Sequence, residues 1–401
     1  MNKGVRTRLR HITRNTIEKS TGEAAPFIGL EDVASGLGRL ATGELEFKLA
    51  TDALVFAPGD VLFSKLRPYL AKSLAPDVAG TCTSELLVMR PGPDLDRRFL
   101  LYMTLSAPWL DWAVTTSYGT KMPRTSWEAM ADFTVDLPPL DEQRRIANFL
   151  DTEIQRLDAL ARLRSEQSGR LSERAQAVLD VALTRLETDH GVAPLRRELL
   201  TIEQGASPQC EAHPAEPGEI GVLKLSAVNN GAYLEHENKA LPAGIAGDPR
   251  YEVRRGDLLI SRANTPERVG DVAFVPETRR GLLLPDLLYR LTLDKPSNAE
   301  FIAIALRSTR VRALLSVTAR GTSHSMVKLR GEDIASLPVP AAPPIHRERA
   351  VRDVREAHET ASRAMSRIST ARSLLTERRQ ALITAAVTGQ LDVTTARPAS
   401  P

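Results

Sequence analysis

Two stretches of the chain, Val55-Phe-Ala-Pro-Gly-Asp-Val-Leu-Phe-Ser-Lys65 and Glu252-Val-Arg-Arg-Gly-Asp-Leu-Leu-Ile-Ser-Arg262, align without a gap at an offset of 197 residues. Each reads as a Gly-Asp turn feeding a short, wholly apolar strand, the pattern of a strand buried on both faces. Similarity continues downstream in the same order. Ser84-Glu-Leu-Leu87 answers Pro285-Asp-Leu-Leu288, Phe99 answers Phe301, and Gly119-Thr120 answers Gly321-Thr322. Pro138-Pro-Leu140 then answers Pro343-Pro-Ile345, and Leu171-Ser-Glu-Arg-Ala-Gln-Ala177 answers Leu375-Thr-Glu-Arg-Arg-Gln-Ala381. Collinear matches whose offset drifts only from 197 to 205 identify a tandem duplication.

Each copy has one internal plan. Short apolar runs separated by turn residues, such as Ala57-Pro-Gly-Asp60 and Arg90-Pro-Gly-Pro93, predict strands. A helical stretch follows, over Leu95 to Val114 in the first copy and Asn298 to Val317 in the second, and then the Gly-Thr loop. Proline at Leu137-Pro-Pro139 and at Leu337 to Pro344 closes the globular part. Beyond each stop the apolar spacing changes to three and four. Leu150, Ile154, Leu157, Leu160, Leu171, Ala175, Val178, Ala182 and Leu186 recur in the first copy. Ala361, Met365, Ile368, Ala371, Leu375, Leu382 and Ala386 do so in the second. Such stripes predict long helices of coiled-coil type, each about 40 residues long, and the simplest partner for one stripe is the other.

The expected fold is therefore α+β: a tandem duplication of a globular mixed domain followed by a long helix, with the two helices pairing as an antiparallel coiled coil. The expected boundaries are residues 1–140 and 191–344 for the globular domains and 141–190 and 345–392 for the helices. Residues 393–401 are expected to be a flexible tail.

Composition narrows the function classes. The 401 residues carry 53 Lys+Arg against 50 Asp+Glu with 42% hydrophobic residues, a folded and nearly neutral chain. No apolar run approaches the roughly 20 residues of a membrane-spanning helix, and Met1 to Arg14 has no apolar stretch behind it, so a cytoplasmic protein without a membrane partner is expected. Cys82 and Cys210 form no metal-type spacing, and the seven histidines show no His-Glu-x-x-His pattern, so no metal site is expected. The chain has no Gly-x-x-x-x-Gly-Lys-Ser/Thr phosphate loop, and its Pro-Pro pairs at 138–139 and 343–344 lack the Asn or Asp that an amino-methyltransferase loop requires. No catalytic residue and no bound cofactor are expected in this chain.

At this point the residues resemble a known family. Leu137-Pro-Pro-Leu-Asp-Glu-Gln-Arg-Arg-Ile146, running into a long helix, and the closing Arg378-Arg-Gln-Ala-Leu-Ile-Thr-Ala-Ala-Val-Thr-Gly-Gln390 are similar to the boundary motifs of specificity subunits of type I restriction–modification systems. The resemblance implies two target recognition domains, each reading one half of an asymmetric bipartite site in double-stranded DNA. It implies helices that space the two readers and dock two methyltransferase subunits, with restriction subunits joining to complete the complex. S-adenosylmethionine is then expected on the methyltransferase partners, and ATP and Mg on the restriction partner. The competing reading is a duplicated coiled-coil scaffold that binds other proteins and has no DNA specificity.

Neither recognition domain is basic on average: residues 1–140 hold 16 basic and 16 acidic side chains, and residues 195–344 hold 19 and 18. A DNA face must then be a local concentration of donors. Lys3, Arg6, Arg8, Arg10, Arg14 and Lys19 form one basic segment near the N-terminus. Base-reading candidates are the strand ends, with Ser64, Lys65 and Arg67 in the first copy and Ser261, Arg262 and Asn264 in the second. The Gly-Thr loops add Tyr118, Thr120, Lys121 and Arg124, and Arg320, Thr322, Ser323, His324 and Lys328.

Overall fold

A computed structural model describes residues 5–323 and 326–393, apart from the side chains of 320–323. The expected tail therefore lies almost wholly outside the described residues. Contacts divide the chain into two compact units, one of residues Met1–Ser165 with Ile368–Pro401 and the other of Glu166–Arg367. The division runs through both long helices, so each unit holds a globular part, the first half of one helix and the last half of the other.

In unit one, Val5–Arg8 pairs antiparallel with Thr134–Leu137, which closes the globular part beside the start of the first long helix. A four-stranded antiparallel sheet follows in the order Thr13–Thr16, Leu86–Pro91, Val61–Ser64, Ser73–Leu74. A second sheet orders Phe47–Leu49, Ala24–Ile28, Gly80–Cys82, Leu54–Phe56, with Phe27 and Ile28 parallel to Thr81 and Cys82. Unit two repeats the plan. Val192–Pro194 pairs with Pro338–Pro340, and Leu199–Gln204, Leu288–Leu293, Leu258–Ser261 and Val272–Phe274 form the antiparallel four. Gly221–Leu223 runs parallel to Leu282–Leu283.

The duplicated motif explains this sheet. Val61 and Phe63 enter the apolar cluster shared with the helices, while Leu62 enters a separate cluster on the other face. Leu258 and Ile260 divide from Leu259 in the same way. Alternation across a strand covered on both sides is why the run is apolar throughout. At the preceding turn, Gly59 takes φ +106° and Gly256 φ +94°, a region where a side chain would be strained. The Asp60 carboxylate, 1% exposed, accepts from Ala57 N at 2.9 Å and from Arg90 Nε and Nη2 at 2.7 and 2.8 Å. Asp257 likewise accepts from Arg254 N at 2.9 Å and Arg290 Nη1 at 3.3 Å.

Each expected helical stretch is two helices rather than one. Arg97–Leu105 is capped by Asp96, which accepts from Arg98 N and Phe99 N, and Ala107–Thr115 follows. Ser106 between them is extended, and Pro108 has no N–H with which to continue the ladder. In unit two, Ala299–Ala305 and Thr309–Thr318 break at Ser308, which turns extended and caps the second helix through Val311 N.

The long helices run over Leu140–His190, 51 residues, and Pro344–Val387, 44 residues. Gly191 and Gly389, both at φ +73°, lie just beyond their ends. Gln143, fully buried, fixes the start of the first: its Nε2 donates to Asp94 O and Pro138 O, and its Oε1 accepts from Asp96 N. In unit one, Ile146, Leu150 and Ile154 share a core with Ile383, Ala386 and Val387, and Arg379 meets Asp158 at 2.5 Å, an antiparallel arrangement. In unit two, His190 meets His346 at 2.8 Å, while Gln176 and His358 both reach Arg307, again antiparallel. The stripe departs from expectation at Leu160, which is 48% exposed, and Leu179 and Leu183 are buried although the reading of the stripe omitted them.

Arg307 joins the globular part of unit two to both helix segments. Its Nη2 lies 2.7 Å from His358 Nε2, and Gln176 Nε2 donates to its carbonyl at 3.1 Å. Burial, and then the Arg307 cation, hold His358 below the ordinary imidazole value of 6.5. The unfolded chain therefore binds this proton more readily than the folded one, and the histidine's contribution to stability falls as pH drops through about 6.5. Urea titrations of the full chain from pH 8 to pH 5 should show a larger acid loss for wild type than for His358→Gln. Equal losses would remove His358 from the acid response.

Candidate nucleic-acid interface

The structure brings the two candidate segments of each copy side by side. In unit one, Thr125 N donates to Lys65 O at 2.9 Å and Arg67 N to Pro123 O at 2.7 Å, laying the strand end along the Gly-Thr loop. Tyr118 and Arg124 exchange two backbone hydrogen bonds of 3.0 Å, which close a short hairpin over 119–123. Gly119 sits in it at φ +87°. Tyr118, Thr120, Lys121 and Met122 are exposed at its tip, Tyr118 by 62% and Met122 by 56%.

Arg124 is tied down at one end, with its side chain 40% exposed. Its Nη2 lies 2.7 Å from both carboxylate oxygens of Glu85, a clamp that anchors the hairpin to the sheet. Lys65 and Arg67 are half-buried at the hairpin's base. Arg67 and Ala71 adopt φ +48° and +49° on either side of the turn Pro68–Leu70, and this costly conformation holds Tyr69 out, 53% exposed.

Unit two builds the same junction from different residues. Leu329 N donates to Arg262 O at 2.9 Å, and Ala263–Asn264 pairs with Met326–Lys328, which pairs in turn with Arg320–Ser323. Lys328 is exposed and Met326 is 42% exposed. The Arg262 guanidinium donates to the Tyr289 hydroxyl at 3.0 Å and lies over that ring at 5.8 Å. The Asn264 amide oxygen accepts from Thr265 N at 2.9 Å, a local turn. His324 lies outside the described residues. So do the side chains of Arg320, Thr322 and Ser323, whose backbone forms the strand.

One expectation is corrected. Ser64 and Ser261 are fully buried: Ser64 Oγ donates to Leu66 O at 2.8 Å and Ser261 Oγ to Arg268 O at 3.1 Å. Both hydroxyls terminate the buried strand and satisfy a carbonyl, so neither reaches a ligand. The basic segment near the N-terminus is partly built into the fold. Val5–Arg8 is a strand of the sheet, and Arg8 and Arg10 both pair with Asp132. Tyr69, Met122 and Met326, which carry no charge, are also exposed beside these segments. Tyr69 and Met122 each lie next to a proline in the sequence.

Among the described residues no group of three or more His, Cys, Asp or Glu could hold a metal ion, and no helix is long and apolar enough to cross a membrane. Burial pushes the Cys82 thiol up to about 12, so it is an inert core group.

Residues 11–166 match the family described as type I restriction modification DNA specificity domain. Over 191 residues the chain is 29% identical to the type I restriction enzyme EcoEI specificity subunit of Escherichia coli, an alignment covering 47% of this chain and 32% of that protein. It is 25% identical over 377 residues to the EcoKI specificity subunit of Escherichia coli strain K12, covering 88% of this chain and 80% of that one. The chain thus spans about a third of the first relative and four fifths of the second. A solved chain from a study of complex assembly and conformational transition in the type I R-M system superposes with a TM-score of 0.72 at 18% identity, covering 98% and 99% of the two chains. At that identity the likeness speaks for the fold.

Proposed function

We propose, from the premise that this chain belongs to the family of type I restriction–modification specificity subunits, that it is the noncatalytic DNA-reading subunit of such a complex. Each unit's globular part reads one half of a bipartite, asymmetric site in double-stranded DNA. The long helices set the gap between the halves and dock two methyltransferase subunits, which carry S-adenosylmethionine. Restriction subunits that use ATP and Mg join to complete the complex.

One observation carries this reading. In both units the backbone of the Gly-Thr segment pairs beside the end of the buried strand, through Arg124 with Leu66 and through Lys328 with Ala263, on different sequences. A shared frame with unlike tips suits two readers of unlike sequence. Near-neutral charge is compatible with this, because cations are needed only at those tips.

Co-expression with the cognate methyltransferase subunit, followed by mapping of methylated adenines, tests the proposal. A two-part sequence with a constant gap is expected. Methylation in a single continuous sequence, or none, overturns it. Within that complex, Lys121→Ala should weaken DNA binding and lower the slope of log K against log salt by about 1, as loss of one phosphate contact does. An unchanged slope removes Lys121 from the interface.

A further inference from the structure

We propose that Met122 and Met326 are wedges that enter the base stack of the bound duplex, one from each reading hairpin. The inference rests on the DNA-reading function above and names how the two hairpins engage the helix.

The two methionines stand at the same sequence distance from equivalent pairing residues. Met122 stands two residues before Arg124, which bridges to Leu66. Met326 stands two residues before Lys328, which pairs with Ala263. Leu66 and Ala263 are equivalent in the duplicated motif, at the same offset of 197. The hairpins differ in length, with Arg124 five residues after Gly119 and Lys328 seven after Gly321, yet the methionine keeps its distance from the pairing residue.

The fold does not account for them. Among the described residues neither side chain belongs to any of the apolar clusters, and they are 56% and 42% exposed. Ser64 and Ser261 also recur, but they are buried and bonded, so their recurrence is explained by the strand they end. An exposed methionine repeated at one register has no such use within its own unit.

Its chemistry suits a base step. The thioether side chain is flexible, polarisable and apolar, the kind of wedge that enters a base step. Lys121 beside Met122, and Lys328 two residues beyond Met326, supply cations for the flanking phosphates. In unit one the Arg124–Glu85 clamp fixes the hairpin's base, so the tip meets DNA from a firm support. Pyrimidine–purine steps unstack most readily and are the expected points of entry. Unstacking there also lowers the cost of extruding a nearby adenine for methylation.

The test uses the full chain in complex with its methyltransferase and duplexes carrying the mapped site, with 2-aminopurine placed in turn at each step. Binding by wild type should raise fluorescence severalfold at one step in each half-site. Met122→Ala should abolish the rise in one half and Met326→Ala in the other, with sequence-specific binding retained at reduced affinity, whereas Met→Leu at either position should restore the rise. Specific binding without a methionine-dependent rise at any step overturns the wedge. So does a Met122→Ala complex that loses methyltransferase while its DNA signal is unchanged, because the side chain then contacts protein. If wild type shows no sequence-specific binding at all, the DNA-reading function itself fails, a result distinct from either.

Discussion

Exchanging residues 1–137 for the corresponding segment of another specificity subunit should change one half of the recognised sequence and leave the other half and the gap intact. Unit one shows why a foreign globular part can seat. Besides the shared apolar core, the second long helix hydrogen-bonds the globular part through main-chain atoms: Gln380 Nε2 donates to Leu105 O at 2.6 Å, Arg379 Nη2 donates to Leu37 O at 2.8 Å, and Thr384 Oγ1 accepts from Ala107 N at 3.0 Å. Gln143 of the first helix also bonds only backbone, at Asp94, Asp96 and Pro138. A donor segment with a different sequence but the same backbone offers all of these partners. The exception is Asp151, which accepts from Arg98 Nη1 at 2.7 Å and from the Tyr102 hydroxyl at 2.5 Å. Chimaeras that keep an Arg and a Tyr at those positions should be the stable ones. Mapping methylated adenines in cells carrying the chimaera reads the result, and a change in both halves would refute the assignment of one unit to each half-site.

Trp109→Ala should destabilise unit one by about 3–5 kcal/mol, the usual range for deleting a large buried aromatic. Trp109 is completely buried at the point where the sheet, the paired short helices and Phe133 converge. It meets Phe63 edge-on with centroids 5.5 Å apart and Phe133 at 5.1 Å. Its indole Nε1 is buried with no hydrogen-bond partner among the described residues. Trp109→Phe, which removes that N–H and keeps most of the ring contact, should therefore cost far less than alanine. Urea unfolding of the full chain followed by near-ultraviolet circular dichroism separates the two. An alanine variant within about 1 kcal/mol of wild type would contradict the burial.

The duplication was legible because the Gly-Asp turn and the two-sided strand admit few residues: glycine for its positive φ, aspartate for the turn amide and the arginine, and apolar side chains on both faces. Helix limits were legible through proline and glycine. The stripe on each helix, by contrast, announces that a face is buried without saying against what. That each unit takes halves of both helices follows from contacts such as Arg379 with Asp158 and Gln176 with Arg307, which join residues more than 130 positions apart. The parallel pairing of Phe27–Ile28 with Thr81–Cys82 is equally non-local. At the interface, recurrence between the copies marked the correct segments but not the correct atoms. Ser64 and Ser261 recur and Arg124 carries charge because the frame uses them, and burial of the serines and the Glu85 pair of Arg124 separate them from Lys121 and Met122.

The division of the units through the helices also sets an order of events during synthesis. Residues 166–367 form a contiguous stretch, so unit two has all its parts as soon as the ribosome has delivered them. Unit one begins first but waits longest. Ile146, Leu150 and Ile154 share their core with Ile383, Ala386 and Val387, and these last three are made only after the whole of unit two. Until then the earliest-made apolar face stands open, an interval in which a nascent chain is most exposed to aggregation or to capture by a chaperone.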